Sequence, residues 1–225
     1  MNKPKMQPIL FSTPMVQAIL RDMYPKTNTR RAIKPQPNWR EIITEEELKT
    51  RAKDGIDRYS ILTNTPTQEE AIKRSRIKPG DILWVRETWY LETHMCANIY
   101  VFRASSPDYP VDVGVGEHGW KPSIFMPKEA ARIFLCVTEV RAERLQDITE
   151  YDAMREGFEA QLRFTKVGSG NIYNGSTTAK EEFMKYWDKL NSTRDGGIYA
   201  AEKNPWVFAY TFHRISKEEA YDAAS

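Results

Sequence analysis

Six consecutive residues near the N-terminus, Lys26-Thr27-Asn28-Thr29-Arg30-Arg31, place three cations, two hydroxyls and an amide side by side with no apolar residue between them. A helix is disfavoured here by the β-branched pair and by the repelling charges. The stretch reads as a loop or the start of a strand that presents cations and hydroxyls together. Such a surface suits a phosphate or a polarised carbonyl; the plainer alternative is a solvated basic turn. A second group with chemical potential sits at Trp84 and Arg86, which alternation puts on one face of a strand while Leu83 and Val85 take the other. An indole beside a guanidinium can stack a base and hold a phosphate, or the indole can simply fill a core. Cys96 and Cys136 have no CxxC or Cys/His spacing, and His94, His118 and His213 are scattered, so neither a metal nor another cofactor is expected.

These residues need elements to position them. Pro8-Ile9-Leu10-Phe11-Ser12 reads as a short buried strand, and Thr13-Pro14 as a helix start. Met15, Val16, Ile19, Leu20 and Met23 continue as a helical stripe that Pro25 ends at Tyr24. Lys78-Pro79-Gly80-Asp81 carries turn residues ahead of a strand over 82–89. Further strands are expected at 97–104, 132–145 and 206–212. The long one is apolar on both faces at first, as suits a barrel strand covered by helices. Pro127-Lys128-Glu129-Ala130-Ala131 reads as a single helical turn. Thr149 opens a short helix that Gly157 ends, and Thr178 caps another with Phe183, Met184, Trp187 and Leu190 on one face. The polar, poorly periodic stretches 36–76 and 158–178 read as insertions outside the core, and 216–225 as a tail. The fold class expected is α+β: one domain built on a small mixed β-barrel with about three peripheral helices and two insertions.

Composition narrows the function classes. A formal net charge of +2 over 225 residues excludes a polybasic nucleic-acid tail, so any anion site must be a local concentration of charge. No apolar stretch approaches the roughly 18 residues of a membrane span, and no apolar core follows the N-terminal lysines as in a signal peptide. A cytoplasmic protein with two reduced thiols is the expectation.

The 26–31 stretch after a short helix, the Lys78-Pro79-Gly80-Asp81-Ile82-Leu83-Trp84-Val85 turn and strand, and Leu145-Gln146-Asp147-Ile148-Thr149 leading to Glu156-Gly157 together resemble the ASCH domain family of the PUA-like superfamily. Within it, the chain is most similar to enlarged phage- and prophage-type members. The resemblance covers 8–34, 78–88, 121–157 and 179–215, and omits the two insertions. It implies a PUA-like barrel with a groove that receives a nucleoside, a nucleotide or RNA. One small bacterial branch is an amidohydrolase of acetylcytidine that uses a Lys and a Thr of a K-T-x-T loop and a Glu beyond an L-x-x-[LI]-T-E segment. Those positions fall here on Lys26, Thr29 and Glu156. This chain departs from that branch in being more than twice as long and in carrying Gly157 directly after the glutamate.

In a hydrolase, Thr29 would be the nucleophile, Lys26 the base that takes its proton, and Glu156 the group that orients the lysine or protonates a leaving amine. Arg30 and Arg31 are cations that could lower the proton affinity of Lys26. The bland counterpart is an ordinary Lys26–Glu156 ion pair with Thr29 closing a turn. A binding module would use the same cations, with Arg30, Arg31 and Arg86 on phosphates and Trp84 on a base. A ribonuclease needs the same groups around a 2′-hydroxyl, so the residues alone leave these alternatives open, as they do the oligomeric state.

Overall fold

The computed structural model describes residues 3–53, 57–94, 97–108, 119–167 and 170–225. In chain order the elements are β1 (Met6–Leu10), α1 (Thr13–Ile19), β2 (Asn28–Ala32), α2 (Glu45–Lys53), α3 (Arg58–Asn64), α4 (Gln68–Lys73), β3 (Ile82–Arg86), β4 (Trp89–His94), β5 (Ala97–Phe102), β6 (Phe134–Arg144), α5 (Glu150–Arg155), β7 (Leu162–Val167), β8 (Gly170–Ser176), α6 (Ala179–Asn191), β9 (Trp206–Ile215) and α7 (Lys217–Ala224). The expected α+β class is what the structure shows. Cys96 and His118 lie outside the described residues, as does most of the 105–120 loop.

The chain divides into two compact units, one of residues 1–27, 79–138 and 212–225, the other of 28–78 and 139–211. β6 and β9 each run from one unit into the other. In the first unit β1 pairs parallel with β3, and β3 pairs antiparallel with the start of β6. The Asp81 carboxylate at the turn before β3 accepts from the Lys5 backbone N–H and from Gln7 Nε2, each at 3.0 Å, and so pins β1. The expected strand over 82–89 stops at Arg86, and Trp89 begins a separate hairpin in which β4 and β5 pair antiparallel. The core here gathers Ile82, Trp84, Trp89, Met126 and Phe134. The single helical turn expected near 128 is present at Lys128–Ala130.

The last ten residues are not a loose tail. Ser216 and Glu219 form a reciprocal capping box that starts α7, Ala220 is fully buried in the first unit's core, and Tyr221 sets its ring edge-on to Phe134.

In the second unit the end of β6 lies beside β9, and β9 pairs antiparallel with β2, Thr29 opposite Tyr210 and Arg31 opposite Phe208. α5 and α6 pack together around Leu145, Ile148, Ala153, Phe183 and Trp187. The 36–76 segment is an integral part of this unit. Buried Trp39 meets Trp206 edge-on at 5.6 Å, Gln36 exchanges hydrogen bonds with the Trp206 backbone, and Gln68 does the same with Ala142. Its helices add a small cluster of Ile43, Leu48 and Ile61. Gln36 and Gln68 use their amides on backbone of the core strands, while Arg40, Glu41 and the α2 glutamates face solvent. The 158–178 stretch forms an antiparallel ribbon of β7 and β8, shut at its base where Gln161 and Thr177 exchange backbone and side-chain hydrogen bonds.

Candidate functional site

Most of the basic stretch is strand β2, and strand geometry divides its side chains. Successive residues point to opposite faces, so Asn28 and Arg30 share one face while Thr29 and Arg31 share the other. That division assigns the two arginines different chemistry.

On the Asn28–Arg30 face the structure builds a buried ion cluster. The Arg30 side chain is 0% exposed. Its Nε donates to Glu143 Oε1 at 2.7 Å, Nη2 to Asp152 Oδ2 at 3.2 Å and Nη1 to Glu156 Oε1 at 3.2 Å. Asn28 Nδ2 also donates to Asp152, and Arg141 approaches both Glu143 and Asp152 from the rim. Burial disfavours the Arg30 charge, but Glu156, Glu143 and Asp152 together outweigh it and leave the guanidinium above its ordinary value. Each of the three Arg30 nitrogens thereby donates to a carboxylate in the interior. Through these bonds Arg30 ties β2 to β6 and α5.

The α5 end supplies two of those carboxylates for local reasons. Thr149 caps the helix by accepting from the Asp152 N–H, and the helix ends at Gly157, whose φ of +94° suits the residue after the cap. This termination places Asp152 and Glu156 one turn apart, both toward Arg30.

The other face differs. Thr29 is buried opposite Tyr210, whose hydroxyl pairs with Ser75 Oγ at 3.0 Å. Burial raises the Tyr210 phenol, and the Ser75 bond and the charges of Arg31 and Arg76 partly offset this. Arg31 is exposed although its β2 neighbours Asn28, Thr29 and Arg30 are buried. It is nonetheless crowded by protein, and that enclosure pulls its guanidinium below the ordinary value against the opposing pull of Glu156, Tyr186 and Tyr210, with Arg194 adding to the lowering. Glu156, Tyr186, Tyr210 and Arg194 are the groups close enough to act on it.

Lys26 belongs to the first unit. It is 2% exposed, its backbone N–H bonds the Ala18 carbonyl at 2.9 Å, and its Nζ lies 5.6 Å from the centre of the Phe11 ring. Trp84 and Arg86 also lie in the first unit. Trp84 is 8% exposed within the core, and Arg86 lies over its ring while bonding the Met126 and Ile124 carbonyls. Packing accounts for both side chains there. Sequence reasoning missed Glu143, Arg141, Asp152, Ser75, Tyr186, Arg194 and Tyr210; only Asp152, three residues after the capping Thr149, left a local trace.

Among the described residues no group of three or more His, Cys, Asp or Glu could hold a metal ion. Burial raises the Cys136 thiol above its ordinary value. No helix of the described residues is long and apolar enough to cross a membrane. Comparison of the chain with protein families, with curated proteins and with solved structures found no match.

Proposed function

We propose that the protein is an ASCH-type, PUA-like barrel that binds a nucleobase-containing ligand bearing a phosphate, a nucleotide or RNA, on the Thr29–Arg31 face of β2. The observation that carries this reading is the division of the two arginines: Arg30 is buried against three carboxylates, and Arg31 is exposed. A guanidinium so placed offers paired donors to a phosphate, Arg194 adds a second cation, and Tyr186 offers a ring for a base.

A second reading, hydrolysis of an amide on a modified nucleoside, is favoured by one further observation. Thr29 is a buried hydroxyl residue, and Arg30 holds Glu156 as a fixed carboxylate. In that reaction the Thr29 hydroxyl gives up its proton and attacks the acyl carbon, the C–N bond breaks as the amine leaves protonated, and water then cleaves the acyl–Thr29 ester.

Calorimetric titration with nucleosides, nucleoside monophosphates and short RNAs, alongside an amine-release assay on acylated nucleosides, tests both. Phosphate-dependent binding that survives Thr29→Val within about tenfold, the cost of one hydrogen bond, supports the binding reading. Turnover that Thr29→Val abolishes moves the assignment to the hydrolase. Binding of nucleosides and their phosphates with equal affinity overturns the role of Arg31.

A further inference from the structure

The β7–β8 ribbon has a surface that folding does not use. Phe164 and Tyr173 face each other across the strands, rings edge-on with centroids 6.0 Å apart, yet they remain 56% and 58% exposed. Leu162, 66% exposed, and Lys166 share the face of Phe164 by strand alternation. An isolated two-stranded ribbon is marginal in water, and packing these rings into a core would have strengthened it. They are instead held outward on a frame shut at Gln161 and Thr177 and braced across the strands by Asn174 Nδ2 on Thr165 Oγ1.

The ribbon's charge points to the kind of partner. No Asp or Glu occurs between Glu159 and Glu181, while Arg163 and Lys166 lie on β7. Arg163 reaches Glu181 at 3.2 Å in a half-exposed pair, which is worth little in water and can exchange for a phosphate. Exposed aromatic rings beside Lys166, on strands that carry no carboxylate of their own, match a polymer that offers flat π-surfaces and a negative backbone together. Duplexes hide their base faces; single strands do not.

We infer that the β7–β8 ribbon is a stacking platform for single-stranded nucleic acid, Phe164 and Tyr173 receiving bases and Lys166, on the same face, the backbone. The inference does not rest on the reading of β2. Ribbon variants leave Arg31 intact, so the two surfaces fail separately.

The test measures anisotropy of labelled twelve-nucleotide single strands, RNA and DNA, and of the matching duplexes, with the full chain. Phe164→Ala/Tyr173→Ala should weaken single-strand binding about ten- to a hundredfold, as loss of stacked bases does elsewhere, with Arg31→Ala measured in parallel. Phe164→Leu/Tyr173→Leu keeps apolar bulk and strand character but removes the flat rings, and it should weaken binding comparably. Single-strand affinity retained by the leucine variant overturns the inference, as does a wild type that prefers duplex or binds neither. Sedimentation supplies the competing outcome. A wild-type dimer that the ring substitutions dissociate, with oligonucleotide binding unchanged, makes a second copy the occupant and overturns the inference as well.

Discussion

Replacing Arg30 with alanine removes the only guanidinium of the buried cluster that touches Glu143, Asp152 and Glu156 together. Arg141 remains, but it is partly exposed and stands 3.5 Å from Glu143 and 3.6 Å from Asp152. Three carboxylates then lose their shared guanidinium, and the Glu156 side chain is only 4% exposed. Truncating one partner of a buried ion pair costs about 3–5 kcal/mol, chiefly because the remaining charge stays desolvated. Against a total stability of about 5–15 kcal/mol for a domain, Arg30→Ala should bring the second unit close to unfolding. Arg31→Ala, one residue along and exposed, should change stability by less than about 0.5 kcal/mol. Urea unfolding followed by tryptophan fluorescence measures both, because Trp39, Trp187 and Trp206 are buried in this unit. Equal midpoints for the two variants would refute the division of β2 into a structural and an exposed face.

Two further outcomes follow from the second unit. Trp39→Ala should lower unfolding stability by about 3–5 kcal/mol, because it empties the place against Trp206; a midpoint within about 0.5 kcal/mol of wild type, the usual range for a surface site, would return 36–76 to the status of decoration. Tyr210 binds its proton more tightly folded than unfolded, since burial raises it above the ordinary 10.0. Its contribution to stability is therefore full below that value and is lost as pH rises through the folded one. Tyr210→Phe should lose about 0.5–1.5 kcal/mol at neutral pH with the Ser75 bond and show a shallower alkaline decline than wild type; parallel profiles in urea titrations at rising pH would refute this.

Local signals made several elements legible. The Pro-Gly turn before β3, the Thr149 and Thr178 caps and Gly157 each act within a few residues, so each could be read from the chain. α7 was not legible, and its residues read as a tail: Ser216 and Glu219 have capping-box spacing, but only two apolar residue types follow them. The 36–76 segment was not legible because its packing residues, Gln36, Trp39 and Gln68, are single anchors rather than a periodic stripe. The site was half legible. The basic stretch stood out by composition, but which arginine is consumed depends on Glu143 and Asp152, more than a hundred residues away in the chain. A difference of one residue in β2 decides between a buried ion and an exposed one, and composition carries no trace of it.

The most direct measurement is the affinity of the wild type and of Arg31→Ala for a nucleoside monophosphate and a short RNA across a series of salt concentrations. Loss of one charge-assisted phosphate contact is worth about 1.5–3 kcal/mol, so Arg31→Ala should bind about ten- to a hundredfold more weakly, and its RNA affinity should depend less steeply on salt by about one phosphate contact. An Arg31→Ala protein with wild-type affinity and wild-type salt dependence would contradict the account.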